Sequence, residues 1–191
     1  MKKILLTTLL LLVIGTNLNA STWEEDCDNG KDLNYCNMGG YNYLFEYKYK
    51  KALALFNIAC EHNFSQSCAY LGGMYSKGQG VEKNNQKAME YSKKACDLDK
   101  GVGSGGCLKL ALLLENKKDY KSAAKYYEIA TNSKIQLSAY FNLGVYYYLG
   151  KGVKKDKIKA YKYWYHAAKN GNTGAQDNLD ILCKESPWAC K

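Results

Sequence analysis

Four segments of this chain fall into one register, and that recurrence limits the fold more than any other feature. They run from Ala52 to Ala59, Ala88 to Ala95, Ala123 to Ala130 and Ala160 to Ala167, each opening and closing on Ala. Leu55, Tyr91, Tyr126 and Tyr163 hold the same place within them, and the segments start 36, 35 and 37 residues apart. Small, large and small side chains at i, i+3 and i+7 share one face of an α-helix, where Ala lets a neighbouring helix come close. A unit of this length cannot bury its apolar face alone and must stack on its copies.

A second helical pattern precedes each of these segments. Cys68 to Tyr75 aligns with Tyr140 to Tyr147 at a separation of 72 residues, twice the period. Cys107, Leu110, Ala111 and Leu114 take the same places in the third repeat, and Cys36, Gly39, Gly40 and Tyr43 in the first. Each unit is therefore a helix–turn–helix. Asn84, Asp119 and Asp156 stand four residues ahead of the first Ala, where a side-chain oxygen can cap the free N–H groups of the second helix; the first repeat has Lys48 there. Gly78-Gln79-Gly80-Val81 and Gly150-Lys151-Gly152-Val153 recur as the turn between the two helices. That placement favours a backbone role over a phosphate cradle. The expected architecture is all-α, an α/α solenoid of about four stacked helix–turn–helix repeats.

The register also pairs the cysteines. Cys60 and Cys96 end second helices, while Cys68 and Cys107 sit early in the following first helices. Cys27 and Cys36 fit the same scheme if residues 22–29 form a truncated second helix. Cys27–Cys36, Cys60–Cys68 and Cys96–Cys107 then clamp successive units, and Cys183–Cys190 closes the C-terminal end around Pro187 and Trp188. Thr131 and Tyr140 replace the clamp between repeats three and four, so that junction is expected to rely on packing alone. Gly101 to Gly106 form an insertion inside the Cys96–Cys107 loop, expected to be mobile. With two His in the chain, His62 and His166, and no CxxC spacing, disulfides are favoured over a metal site. Neither a metal nor a cofactor is expected.

An oxidising destination agrees with the start of the chain. Lys2 and Lys3 precede an apolar run from Ile4 to Ile14 and a small-residue stretch ending at Ala20, the layout of a cleaved signal peptide. Leu18 departs from the small residue usual before the cut. The organisation read from sequence is a signal peptide over 1–20, an N-terminal capping helix over 21–32, repeats over 33–64, 65–103, 104–134 and 135–171, and a C-terminal cap over 172–191. After cleavage no membrane span is expected, and the protein is placed in the bacterial periplasm or outside the cell. The net charge is +9, and every basic residue is Lys, with no Arg. Arg forks are the usual readers of phosphates and base edges, so a nucleic-acid partner is not expected. An acidic envelope polymer remains compatible with a basic surface.

Ala at both ends of the second helix, Leu71-Gly72 with Tyr75 and Leu143-Gly144 with Tyr147 in the first, and the Gly-x-Gly-Val turn together resemble the Sel-like repeat, a longer cousin of the tetratricopeptide repeat. Cys closing one second helix and Cys opening the next first helix look more specifically like the Helicobacter cysteine-rich protein family. The resemblance covers nearly all of the chain after the leader. The third repeat departs from it with Glu115-Asn116-Lys117-Lys118 in place of Gly-x-Gly-Val, and the fourth lacks the Cys clamp. Some members of that family carry a β-lactamase or penicillin-binding label, so the resemblance implies β-lactam binding or weak hydrolysis as an alternative function. Ser122-Ala123-Ala124-Lys125 matches the S-x-x-K element of serine β-lactamases, but it falls inside a second helix and no Ser-Asp-Asn or Lys-Thr-Gly follows.

Stacked helical hairpins curve, and the first helices line the inner face. Positions one, five, eight and nine residues after the Cys are expected to point into that concavity. They are Asn37, Tyr41, Leu44 and Phe45; Ala69, Gly73, Ser76 and Lys77; Leu108, Leu112, Glu115 and Asn116; and Phe141, Val145, Tyr148 and Leu149. Sets one and four are aromatic and apolar where a solvated face would be polar. Tyr41, Phe45, Phe141, Val145 and Tyr148 are the candidate binding residues for a peptide or protein segment, because aromatic anchors dominate binding in grooves.

Overall fold

The structure is a computed structural model that describes Cys27 and residues 32–100, 105–133 and 136–191. The expected signal peptide lies outside the described residues, as does the N-terminal capping helix apart from Cys27, which is helical, and Asp32. Among the described residues there are nine α-helices and no strand. They are α1 (Leu33–Phe45), α2 (Tyr49–Glu61), α3 (Ser65–Lys77), α4 (Asn85–Asp99), α5 (Gly106–Asn116), α6 (Tyr120–Ala130), α7 (Leu137–Leu149), α8 (Lys157–Lys169) and α9 (Thr173–Glu185), followed by a 3-10 turn (Pro187–Cys190). No helix among the described residues is long and apolar enough to cross a membrane.

Each hairpin closes around a small residue in its first helix. A Cβ at Gly40 would lie 2.7 Å from the Phe56 ring, and Cβ atoms at Gly72 and Gly144 would collide with Ser92 and Trp164. Phe56, Ser92, Tyr127 and Trp164 occupy one register position of the second helices and are all buried. The third hairpin puts Ala111 opposite Tyr127, and both are fully buried. What the second helix contributes in volume, the first yields, which keeps the axes close at constant packing density. Outside this seam two Tyr pairs repeat at twice the period: Tyr75 stacks on Tyr91 at 5.4 Å and Tyr147 on Tyr163 at 5.6 Å.

The caps and turns follow their chemistry. Asn84, Asp119 and Asp156 accept from the backbone N–H of Lys87, Ser122 and Lys159, whereas Lys48 makes no such bond. Gly78 and Gly150 end α3 and α7 in the left-handed region, at φ of 72° and 74°. Gly80 and Gly152 serve a different purpose. A Cβ on Gly80 would lie 2.8 Å from the Tyr49 carbonyl carbon, and one on Gly152 would meet the Tyr120 backbone. The turn of one repeat therefore lies on the start of the preceding second helix, and the second glycine makes that approach possible.

Four disulfides join Cys27 to Cys36, Cys60 to Cys68, Cys96 to Cys107 and Cys183 to Cys190, leaving no free thiol. Two expectations need correction. The third-to-fourth junction does not rest on packing alone: the Tyr140 hydroxyl donates to the Thr131 carbonyl at 2.6 Å, while within repeat four the Tyr140 ring stacks on His166 at 3.9 Å. The glycine insertion is not loose along its whole length either. Gly105 precedes α5 and Gly106 opens it, close enough to α4 that a Cβ there would lie 2.8 Å from the Cys96 nitrogen. Residues 101–104 are outside the described ones.

Candidate functional site

The first helices place the expected groove residues in three different environments. On α1, Tyr41 is 50% exposed and Phe45 77% exposed, with Tyr47 nearby equally open. Tyr41 faces Tyr70 of α3 at 6.0 Å, above a shallow hollow that Asn42 and Gln66 complete. On α7 the aromatic set is half-buried instead, and Leu149 at its end is exposed. The Phe141 ring lies 3.4 Å from where a Cβ on Gly174 of α9 would sit, and its carbonyl accepts from the Trp164 indole N–H at 3.1 Å. Tyr148 packs on Trp164 at 5.4 Å and donates its hydroxyl to Glu185 of α9 at 2.7 Å. Val145 is half-buried against the same core. The sequence grouped both ends as one aromatic groove; in the structure the α1 set stands open, and the α7 set is half-buried with contacts to α9.

Positions just after the Cys are also spent on packing between successive first helices. Ala69 is buried, and Asn37 is held by the Ser67 hydroxyl at 3.0 Å while donating to Gln66 at 3.3 Å. Glu115 turns away from the expected concavity. It accepts from the Tyr127 hydroxyl at 2.7 Å and from Lys151 at 2.8 Å. Burial works to raise its pKa, but the hydrogen bonds from Lys151 and Tyr127 and the Lys151 charge outweigh it and hold the carboxyl below its ordinary value. Burial, together with the same carboxylate, pushes the Tyr127 and Tyr146 hydroxyls well above theirs.

What remains of the first-helix face is a central cleft of about 560 Å³ between α3 and α5. Gly73 leaves its floor open, Met89, Leu112 and Leu113 make it apolar, and Lys77, Lys83, Lys109 and Lys117 edge it. Lys109 is half-buried, its Cε 3.7 Å from where a Cβ on Gly73 would be. Burial, and then the nearby Lys77 charge, push the Lys109 ammonium pKa down. Sequence reasoning missed Lys83, Lys109 and Lys117 because a Lys outside the core stripe reads as a solvated residue. The register did mark Gly73, Ser76, Lys77, Leu112 and Asn116, five of the residues that line this cleft.

Ser122 and Lys125 both line a separate depression of about 510 Å³ on α6, with Glu128 and Tyr147. The Ser122 N–H donates to Asp119, the helix cap, at 3.2 Å, and the Ser122 side chain and N–H together hold that carboxyl below the usual range. Among the described residues no group of three or more His, Cys, Asp and Glu could hold a metal ion, and every thiol is in a disulfide.

A family profile of the Sel1 repeat matches residues 35–64, 65–100, 106–134 and 137–172, well over half of the chain. The chain belongs to the Sel1 repeat family. Its structure is similar to that of a Sel1 repeat protein from Oxalobacter formigenes, with a TM-score of 0.72 and 29% identity over 82% of this chain and 65% of that one. It is also similar to c5321, a protective antigen of uropathogenic Escherichia coli with the same repeat fold, with a TM-score of 0.73 and 26% identity over 84% of this chain and 35% of that one. In sequence it is 40% identical over 53 residues to a cytochrome c oxidase assembly factor 7 homolog of Drosophila melanogaster. That match spans 28% of this chain and 20% of the fly protein. Sel1 repeats are scaffolds that generally mediate protein–protein interaction.

Proposed function

We propose that this chain is an exported scaffold holding a peptide or protein segment against the face made by its first helices. The observation behind the reading is that this face stays open over repeats one to three. The Tyr41 and Phe45 rings stand in solvent at one end, and the cleft between α3 and α5 follows. Exposed aromatic side chains on a rigid scaffold are efficient anchors, because they bring large apolar area at a small cost in conformational entropy. Tyr148, Phe141 and Val145, half-buried beside α9, form the less open end of the same face. Four disulfides suit residence in an oxidising compartment such as the periplasm or the exterior.

Selection of displayed peptides on the oxidised protein tests this reading. Selected peptides should lose about thirtyfold in affinity for the Tyr41→Ala/Phe45→Ala double variant, in line with a hot-spot loss of about 2 kcal/mol. The same substitutions should change unfolding stability by no more than about 0.5 kcal/mol each, as exposed positions do. Peptides that bind the wild type and the double variant alike would remove the N-terminal aromatic end from the site.

A further inference from the structure

We infer that the cleft between α3 and α5 seats an acidic stretch of the bound peptide, with Lys77, Lys83, Lys109 and Lys117 meeting its carboxylates. This rests on the peptide-binding reading and names the partner's chemistry.

Many lysines elsewhere in the chain have a partner. Lys87 and Lys159 lie over the rings of Tyr75 and Tyr147, Lys48 and Lys51 over Tyr43, and Lys155 over Tyr148. Lys93 pairs with Asp97 and Lys151 with Glu115, while Lys94 donates to the Cys60 carbonyl at 2.7 Å. Among the described residues the four cleft lysines have neither a close ion pair nor a ring beneath them, and no acidic residue lines the cleft, although the Lys117 charge acts on the Asp119 carboxylate nearby. Equivalent positions differ in the same way. Lys83 and Lys155 occupy the same place in the second and fourth repeats; Lys155 covers Tyr148, whereas the cleft puts Gly73, Ser76 and Lys77 at that end of α3. Lys109 carries the sharpest conflict. Its stem is laid over Gly73 and its ammonium is partly withdrawn from water beside Lys77. A carboxylate placed there supplies the missing counter-charge in a half-desolvated setting, where charge complementarity is worth more than at an open surface.

The remaining lining favours a peptide as the source of that carboxylate. Met89, Leu112 and Leu113 offer an apolar floor for side chains between the acidic ones. Asn85 and Asn116 offer amides that can pair with a peptide backbone, donating to its carbonyl and accepting from its N–H. A bare phosphate polymer would use neither.

The test uses the full oxidised protein and two labelled probes, a short peptide of Glu and Leu and its counterpart with every Glu replaced by Gln, read by fluorescence anisotropy. The Glu peptide should bind about tenfold or more tightly than the Gln peptide, and added salt should narrow the gap. Lys109→Met keeps an apolar stem over Gly73 and removes the charge; it should lower Glu-peptide affinity about tenfold and leave Gln-peptide affinity unchanged. Lys162→Gln and Lys169→Gln, on exposed positions of α8, should leave both unchanged. Equal losses from the α8 and cleft substitutions would reduce the effect to net charge and overturn the inference. Displacement of the Glu peptide by pyrophosphate at matching concentration would overturn it in favour of a general anion site. If displayed peptides bind the Tyr41 and Phe45 end yet show no preference for Glu and no response to Lys109→Met, the acidic inference falls and the groove reading stands. If no peptide binds this face at all, both fall.

Discussion

The junction between repeats two and three and the junction between repeats three and four solve one problem with different chemistry. At the first, Cys96 at the end of α4 is bonded to Cys107 in α5, and Gly106 lets the two helices meet at backbone distance. At the second, Thr131 and Tyr140 occupy those register positions, joined by one hydrogen bond, and the Tyr140 ring reaches on to His166 of α8. The covalent link acts on the unfolded chain, restricting its loop whatever surrounds it. The Tyr link acts only in the folded state and depends on α8 holding His166 in place. The contact between α6 and α7 is also thinner than that between α4 and α5. The C-terminal half compensates inward, with Trp164 filling the seam that Ser92 leaves small in α4.

Substitutions at those equivalent positions give the largest expected contrast. Trp164→Ala should cost about 3–5 kcal/mol, the range for deleting a buried aromatic, because its ring fills the space over Gly144 and its N–H satisfies the Phe141 carbonyl. Ser92→Ala, at the same register in α4, should stay within about 0.5 kcal/mol, since the buried hydroxyl has no hydrogen-bond partner to lose. Denaturant unfolding with disulfides intact measures both, and a large loss at Ser92 would break the equivalence.

Removing the covalent clamp comes next. Cys96→Ser with Cys107→Ser should lower stability by about 2–3 kcal/mol for a loop of this length. Hydrogen exchange should show the loss spreading across α4 and α5 and less into α8, if the junctions act as separate fasteners. Tyr140→Phe removes only the hydroxyl and keeps the ring on His166, so it should cost about 1 kcal/mol. A cost equal to that of the Cys pair would mean that the hydrogen bond alone carries the junction.

The smallest effect concerns acid. Glu115 has a folded pKa below its ordinary value of 4.5, so its stabilising contribution is complete above that unfolded value and is lost as pH falls through the folded one. Because the Lys151 and Glu115 side chains are 30% and 28% exposed, that contribution should be no more than about 1 kcal/mol. Wild type should therefore lose stability faster than Glu115→Gln as pH falls below 4.5; parallel acid profiles would show that the pair contributes nothing measurable.

Much of this molecule was legible in one dimension because a repeat is its own alignment. The Ala frame located every second helix, Asn84, Asp119 and Asp156 marked three of their starts, and the Cys register named the chain-adjacent clamps. These are local signals, set by periodicity, capping and spacing. The candidate site was legible only in part. Tyr41 and Tyr148 read alike in the register, as aromatic residues outside the core stripe, and it is the contact with α9 that leaves Tyr148 half-buried where Tyr41 is half-exposed without such a neighbour. Nor could spacing show that Glu115 turns toward Tyr127 and Lys151.

Local sequence was enough for the repeat, the starts of three second helices and the order in which units stack, because each depends on residues within about one period of one another. Which lysines lack a counter-charge was settled only in three dimensions. Lys109 and Lys77 belong to different helices, and their shared cleft exists only once α3 and α5 lie side by side over Gly73. Burial and electrostatic repulsion depend on distance through space, and a linear register does not contain that distance.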